Sequence, residues 1–277
     1  MQHGCFKTIL SFFTGILLLA STQIFASELK PTREEASIKR APNGFLQTLT
    51  KEFINKNFRF NAFGDMRLRH ESLQRQSTPD RHRQRMRLRA GFNANVSDNM
   101  KVRLRVATGG ASITSANQDL GGSFSKKSFG IDQGYITYQL SKRTKFIGGK
   151  MNNSYFRPQK SELIWDSDVN PEGLVFVNKR DLSPSTQLTS QVSAFVLEER
   201  KTDENSMLFG GQVRLNHKFD SFDSIDLGGG FFGFTNVRGF TPLFDGDAHG
   251  NSLSGNGSEE DPFDLSNRYQ ISELFTN

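Results

Sequence analysis

The chain has 277 residues, a formal charge of +6 and a single cysteine, Cys5. Cys5 lies in a removable N-terminal segment, so the mature chain has no disulfide scaffold and no thiol chemistry. Beyond residue 26 no apolar run approaches the roughly 20 residues that a spanning helix needs, which excludes a helical membrane protein.

Residues 1–26 read as a secretory signal peptide. Lys7 and the amino terminus supply positive charge, Ile9 to Ala20 the apolar stretch, and Ala26 a small residue before Ser27. Removing Lys7 lowers the charge to +5. Residues 27–57 form a lead-in. Thr32 and Glu35 have capping-box spacing, and Phe45, Leu46, Leu49, Phe53 and Ile54 recur at helical intervals. They predict a short amphipathic helix near 44–55, either packed at the mouth of the following domain or acting as a plug or oligomerisation element.

Residues 58–277 carry the pattern that decides the fold class. In 85–96, Met86, Leu88, Ala90, Phe92, Ala94 and Val96 alternate with Arg85, Arg87, Arg89, Asn93 and Asn95. In 59–69, Phe60, Ala62, Gly64, Met66 and Leu68 alternate with Arg59, Asn61, Asp65, Arg67 and Arg69. In 100–106, Met100, Val102, Leu104 and Val106 alternate with Lys101, Arg103 and Arg105. Strands send successive side chains to opposite faces. Long strands with one greasy and one charged face need a bilayer on one side and water on the other. An antiparallel transmembrane β-barrel provides both, with Arg67, Arg69, Arg85, Arg87, Arg89, Arg103 and Arg105 on its lumen wall.

Ten strands are predicted, over 58–73, 83–97, 99–109, 128–140, 144–152, 173–179, 186–198, 206–217, 224–236 and 267–276. Turns at 97–99, 141–143 and 220–223 are short, whereas 109–127, 153–172 and 239–266 are long and polar. Short turns at one end and long loops at the other suit an outer-membrane barrel. Gly228, Gly229, Gly230 and Gly233 blur the alternation after residue 224 and predict bends or bulges there.

Other chemistries find little support. The arginine run 81–89 has strict period two, unlike a helical nucleic-acid arm, so no nucleic acid is expected. His70 and His82 stand near Glu71 and Asp80, but no nucleophile motif accompanies them. No zinc spacing, phosphate loop or dinucleotide fingerprint occurs. The expectation is no catalytic residue, no metal and no cofactor. Trp165, Asp166, Asp168 and Glu172 allow two readings. Either the loop folds into the lumen as a constriction, its acids facing the arginines, or Trp165 packs as a fold lock and the acids cap turns.

Gly64-Asp65-Met66-Arg67-Leu68-Arg69, followed by Asp80 through Arg89, resembles the opening hairpin of the putative porin family of Gram-negative outer membranes. Ala107-Thr108-Gly109, Phe124 to Lys127, Gly148 to Asn153 and Trp165 to Gly173 continue the likeness, so that it covers 60–177. The resemblance implies a closed barrel and passive diffusion of small hydrophilic solutes through it. Partners would be outer-membrane lipid, those solutes and the barrel-assembly machinery; self-association stays open. The chain ends Phe275-Thr276-Asn277 rather than on the aromatic residue expected of a final barrel strand. A barrel of about 16 strands would need over roughly 350 residues, so an N-terminal portion of a longer, incomplete barrel is expected. Other classes would be a structural or adhesion barrel with a plugged lumen, or an outer-membrane hydrolase.

Overall fold

The computed structural model describes residues 59–74, 76, 78–110, 112–220, 223–244 and 246–277. The expected signal peptide and the helix predicted near 44–55 lie outside these residues.

The alternating segments form long strands. They are β1 (Arg59–Leu73), β2 (Arg81–Asn95), β3 (Met100–Thr108), β5 (Phe129–Gln139), β6 (Thr144–Lys150), β7 (Glu172–Ser183), β8 (Thr186–Glu198), β9 (Ser206–Lys218), β10 (Ser224–Thr235) and β13 (Gln270–Thr276). Three two-residue bridges, β4 (Gln118–Asp119), β11 (Leu253–Ser254) and β12 (Asp264–Leu265), carry no periodicity and lie inside long loops. The sheet order is β1-β2-β3-β5-β6-β7-β8-β9-β10-β13, with β4 added against β2 and β11 paired with β12. Every pairing is antiparallel. Among the described residues no pairing joins β1 to β13, so the sheet is open there and the closed barrel is not seen.

Strand β7 runs on to Ser183, past the predicted end at 179, held by its pairing with β8; Asn178 to Asp181 are polar on both faces and give no alternation to read. The predicted glycine bulges in β10 do not occur. β10 pairs with β9 residue for residue from Ser224 to Thr235. An added Cβ at Gly228 would collide with the Phe275 ring, so this glycine makes room for a neighbour rather than bending its strand. Register shifts fall instead at Arg105/Val106, Asp181/Ser183 and Val196/Glu198.

Connections at 96–99, 140–143, 184–185 and 219–223 are short, and they share one end of the sheet. Those at 74–80, 109–128, 151–171, 199–205 and 236–269 share the other.

Register assigns the faces, because cross-strand partners project to the same side. One face carries Met66, Leu68, Leu104, Ile136, Phe176, Val192, Val213 and Leu227, with the row Ile136, Gly148, Leu174, Ala194, Phe209 running across five strands. Most of its large side chains named here are exposed, from 36% for Ile136 to 67% for Leu68. So much contiguous apolar surface is foreign to a protein dissolved in water. It suits contact with lipid. The well-packed cluster lies on the opposite face: Ile147, Val175, Val177, Phe195, Leu208 and Phe232, covered by Met151, Tyr155 and Trp165 from the 151–171 segment.

Candidate functional site

The face opposite the apolar one carries all seven arginines singled out by the alternation. Register sets Arg67 opposite Arg87 and Arg69 opposite Arg85. It sets Arg103 opposite Asn93 and Arg105 opposite Gly91. Like charges placed directly opposite destabilise a sheet, and the observed side-chain partners offset this. Asp65, opposite Arg89, accepts from Arg87 Nη2 and Arg89 Nε, each at 2.7 Å. Glu71, 8% exposed, is bridged by Arg69, Arg83 and Arg85. Arg105 pairs with Asp132, which stands at the β3–β5 bulge. Arg103 donates to Gln133 Oε1 at 2.8 Å and Asn93 Oδ1 at 2.9 Å, and its guanidinium stacks over Phe63.

Two further partners come from the 109–128 loop. Bridge β4 places Asp119 opposite Arg85. Asp119 lies 2.8 Å from Arg85 Nε, 3.4 Å from Arg81 and 3.6 Å from Arg83. Asn117 Oδ1 accepts from Arg67 Nη2 at 2.7 Å. Sequence reasoning missed both residues, since nothing local ties 117–119 to β2. Donors remain in excess: Nε of Arg67 and of Arg83 are buried and find no acceptor among the described residues.

The 151–171 segment folds onto this same face. Trp165 packs as a lock, stacked on Tyr155 with ring centroids 5.8 Å apart and edge-on to Phe195 and Phe232. Asp166 caps a turn, its Oδ1 accepting from Asp168 N at 2.7 Å. Asp168 reaches the arginines, with Oδ1 3.8 Å from Arg89 Nη1. Asn170 ties the segment down through Gln133 Nε2 and Asp132 Oδ1, both at 2.7 Å. Glu172 pairs with Lys150 at 2.7 Å and with no arginine among the described residues. A cavity of about 700 Å³ has Arg89, Asp132, Lys150, Asp168 and Glu172 in its wall.

The segment is anchored by burial. Tyr155 is 5% exposed and its hydroxyl lies 2.7 Å from Ser193 Oγ. Burial pushes that hydroxyl up to about 12, against the lowering effect of the Ser193 hydrogen bond. Glu162, fully exposed, is held below the usual carboxylate range by its hydrogen bonds from Ser167.

Among the described residues, the histidines near the first loop do not meet a carboxylate. His70 Nδ1 lies 2.7 Å from Gln84 Nε2, and its ring stacks on His82 at 6.0 Å. Both project from the face opposite to Glu71, since one residue of offset reverses the side.

A family model described as "Putative porin" matches residues 34–253. The chain belongs to the putative porin family. No curated protein matches it. Membership carries a porin-like role and an outer-membrane location in general terms. The matched range contains the arginine face and the 151–171 segment of this porin-family chain.

Proposed function

We propose that the chain forms wall of an outer-membrane channel through which small hydrophilic solutes diffuse passively, with a weak preference for anions. The observation that carries this reading is the arginine face with its surplus of donors, set opposite an apolar face and partly covered by the 151–171 segment. In such a channel the apolar face meets lipid and the arginine face meets water. No covalent step is needed: the field of wall side chains sorts solutes by charge as they pass.

The preference is weak for a geometric reason. Guanidinium groups stay charged at any physiological pH. Asp65, Glu71, Asp119 and Asp132 stand among them and cancel part of the field at short range. What remains is the excess of arginines over carboxylates, acting in a partly desolvated space. In this reading Asp168 and its segment narrow the passage beside Arg89.

Planar-bilayer conductance and liposome swelling with small sugars test the reading on the full-length protein. Ohmic conductance with swelling rates that fall as the sugar grows supports diffusion. A protein that inserts but neither conducts nor admits sugars would be a plugged structural barrel instead.

A further inference from the structure

We propose that the cavity at the foot of the 151–171 segment binds a small organic carboxylate. It rests on the reading that this face is wet, and it concerns a place away from the arginine cluster. The cavity measures about 450 Å³ and lies where residues 151–156 pass over strands β5 to β9.

Register builds it from two adjacent rows on one face. Lys145, Val177, Gln191 and Gln212 are successive cross-strand partners. Lys179, Thr189 and Arg214 form the next row toward the short-turn end. Strands lie about 4.8 Å apart, so these cations and amides converge on a patch the size of a small molecule.

The lining is one-sided in chemistry. It holds Lys145, Lys179 and Arg214 and no carboxylate. Arg214 is already held by Asp226 at 2.7 Å. Lys145 and Lys179 make no ion pair with any described residue; Lys150 is the lysine that pairs with Glu172. Gln191 is 6% exposed, yet its Nε2 has no acceptor among the described residues, and Asn153 Nδ2 and Ser154 Oγ in the same wall likewise find no partner among them. Buried donors without acceptors are costly. A ligand rich in acceptors and negatively charged relieves both deficits at once.

The remaining wall selects a carbon-bearing anion. Ile147, Met151, Val177 and Phe156 give it apolar surface. Inorganic phosphate has nothing to place there. A short carboxylic acid sets its head between the lysines and its chain against Met151 and Val177. Gln212 is not a free donor, because its amide already binds Phe156 N, Phe156 O and Glu273.

Equilibrium dialysis of the refolded full-length protein against radiolabelled butyrate and succinate tests this, with bilayer conductance of the same sample recorded separately. The expected result is saturable binding that unlabelled carboxylate displaces and equimolar phosphate does not. Lys145→Gln with Lys179→Gln should weaken it at least tenfold. Lys145→Arg with Lys179→Arg should retain most of it, and Arg87→Gln with Arg89→Gln should leave it within twofold. Conductance without saturable binding would overturn the site while leaving the channel reading intact. Equal displacement by phosphate, or loss in the arginine pair rather than the lysine pair, would overturn it too.

Discussion

Arg89 Nη1 and Asp168 Oδ1 stand 3.8 Å apart, and this contact joins the β2 arginine ladder to the segment folded over the sheet. Both side chains are mostly covered, at 20% and 24% exposure. The contact is long and partly wet, so its value for stability is at most about 1 kcal/mol. Its charge matters more. Asp168→Asn removes a carboxylate from beside the arginines. The zero-current potential under a salt gradient should move toward anion preference with the unfolding midpoint nearly unchanged. A move toward cations would separate Asp168 from the conducting path.

Tyr155 anchors the same segment. Replacing it with Phe removes the hydroxyl bound to Ser193 Oγ and should cost about 1 kcal/mol. The pH dependence has a definite sign. The folded hydroxyl titrates at about 12, above the free value near 10. A raised value means that folding favours the protonated form. The contribution is complete below pH 10 and is lost as pH rises toward 12. Urea unfolding at pH 8 and pH 11 should show a smaller loss for Tyr155→Phe than for the parent; an equal loss would show that Tyr155 is not responsible.

Gly149 and Gly173 face each other across β6 and β7, with φ of 123° and 153°. An added Cβ at Gly173 would collide with the Ala194 carbonyl oxygen and lie 2.8 Å from Phe195 Cα. Gly173→Ala should therefore destabilise by about 1–3 kcal/mol, through the collision and the positive φ together. Heat-modifiable migration on gels gives the comparison, and a neutral variant would contradict the close approach.

Val192 and Gln191 are sequence neighbours on opposite faces, 59% and 6% exposed. With Val192 against lipid, Val192→Arg should cost about 2–4 kcal/mol near the midplane. A cysteine at 192 should resist a membrane-impermeant thiol reagent and react with a lipophilic one. Rapid impermeant labelling at 192 would reverse the assignment of faces.

How much of this was legible in the sequence depends on the range of the interaction. Strands β1 to β3 could be read because Met86 to Val96 alternate without interruption, and β8 agrees with its predicted bounds at Thr186 and Glu198. The end of β7 could not, since Lys179, Arg180 and Asp181 are polar whichever way they point. The pairing of Asp65 with Arg87 and Arg89 depends on hairpin register, which alternation leaves undetermined. Asp119 arrives from a loop remote in sequence through a bridge of two residues, too short for any period. Trp165 was a visible signal in its loop, but its packing against Phe195 and Phe232 needs strands brought together only by the fold.

The central claim is that the arginine face lines a conducting path. Arg85, Arg87 and Arg89 lie on one strand and one face, and their side chains are only 14–20% exposed. The decisive measurement is the zero-current potential of the full-length protein in a planar bilayer under a salt gradient, before and after changing all three to Gln. Asp65, Glu71, Asp119 and Asp132 stay in place, so the variant loses three positive charges of this wall and none of the negative ones. The account predicts weak anion preference in the parent and a clear shift toward cations in the variant. Cation preference in the parent, or an unchanged potential in a variant that still conducts, would contradict it.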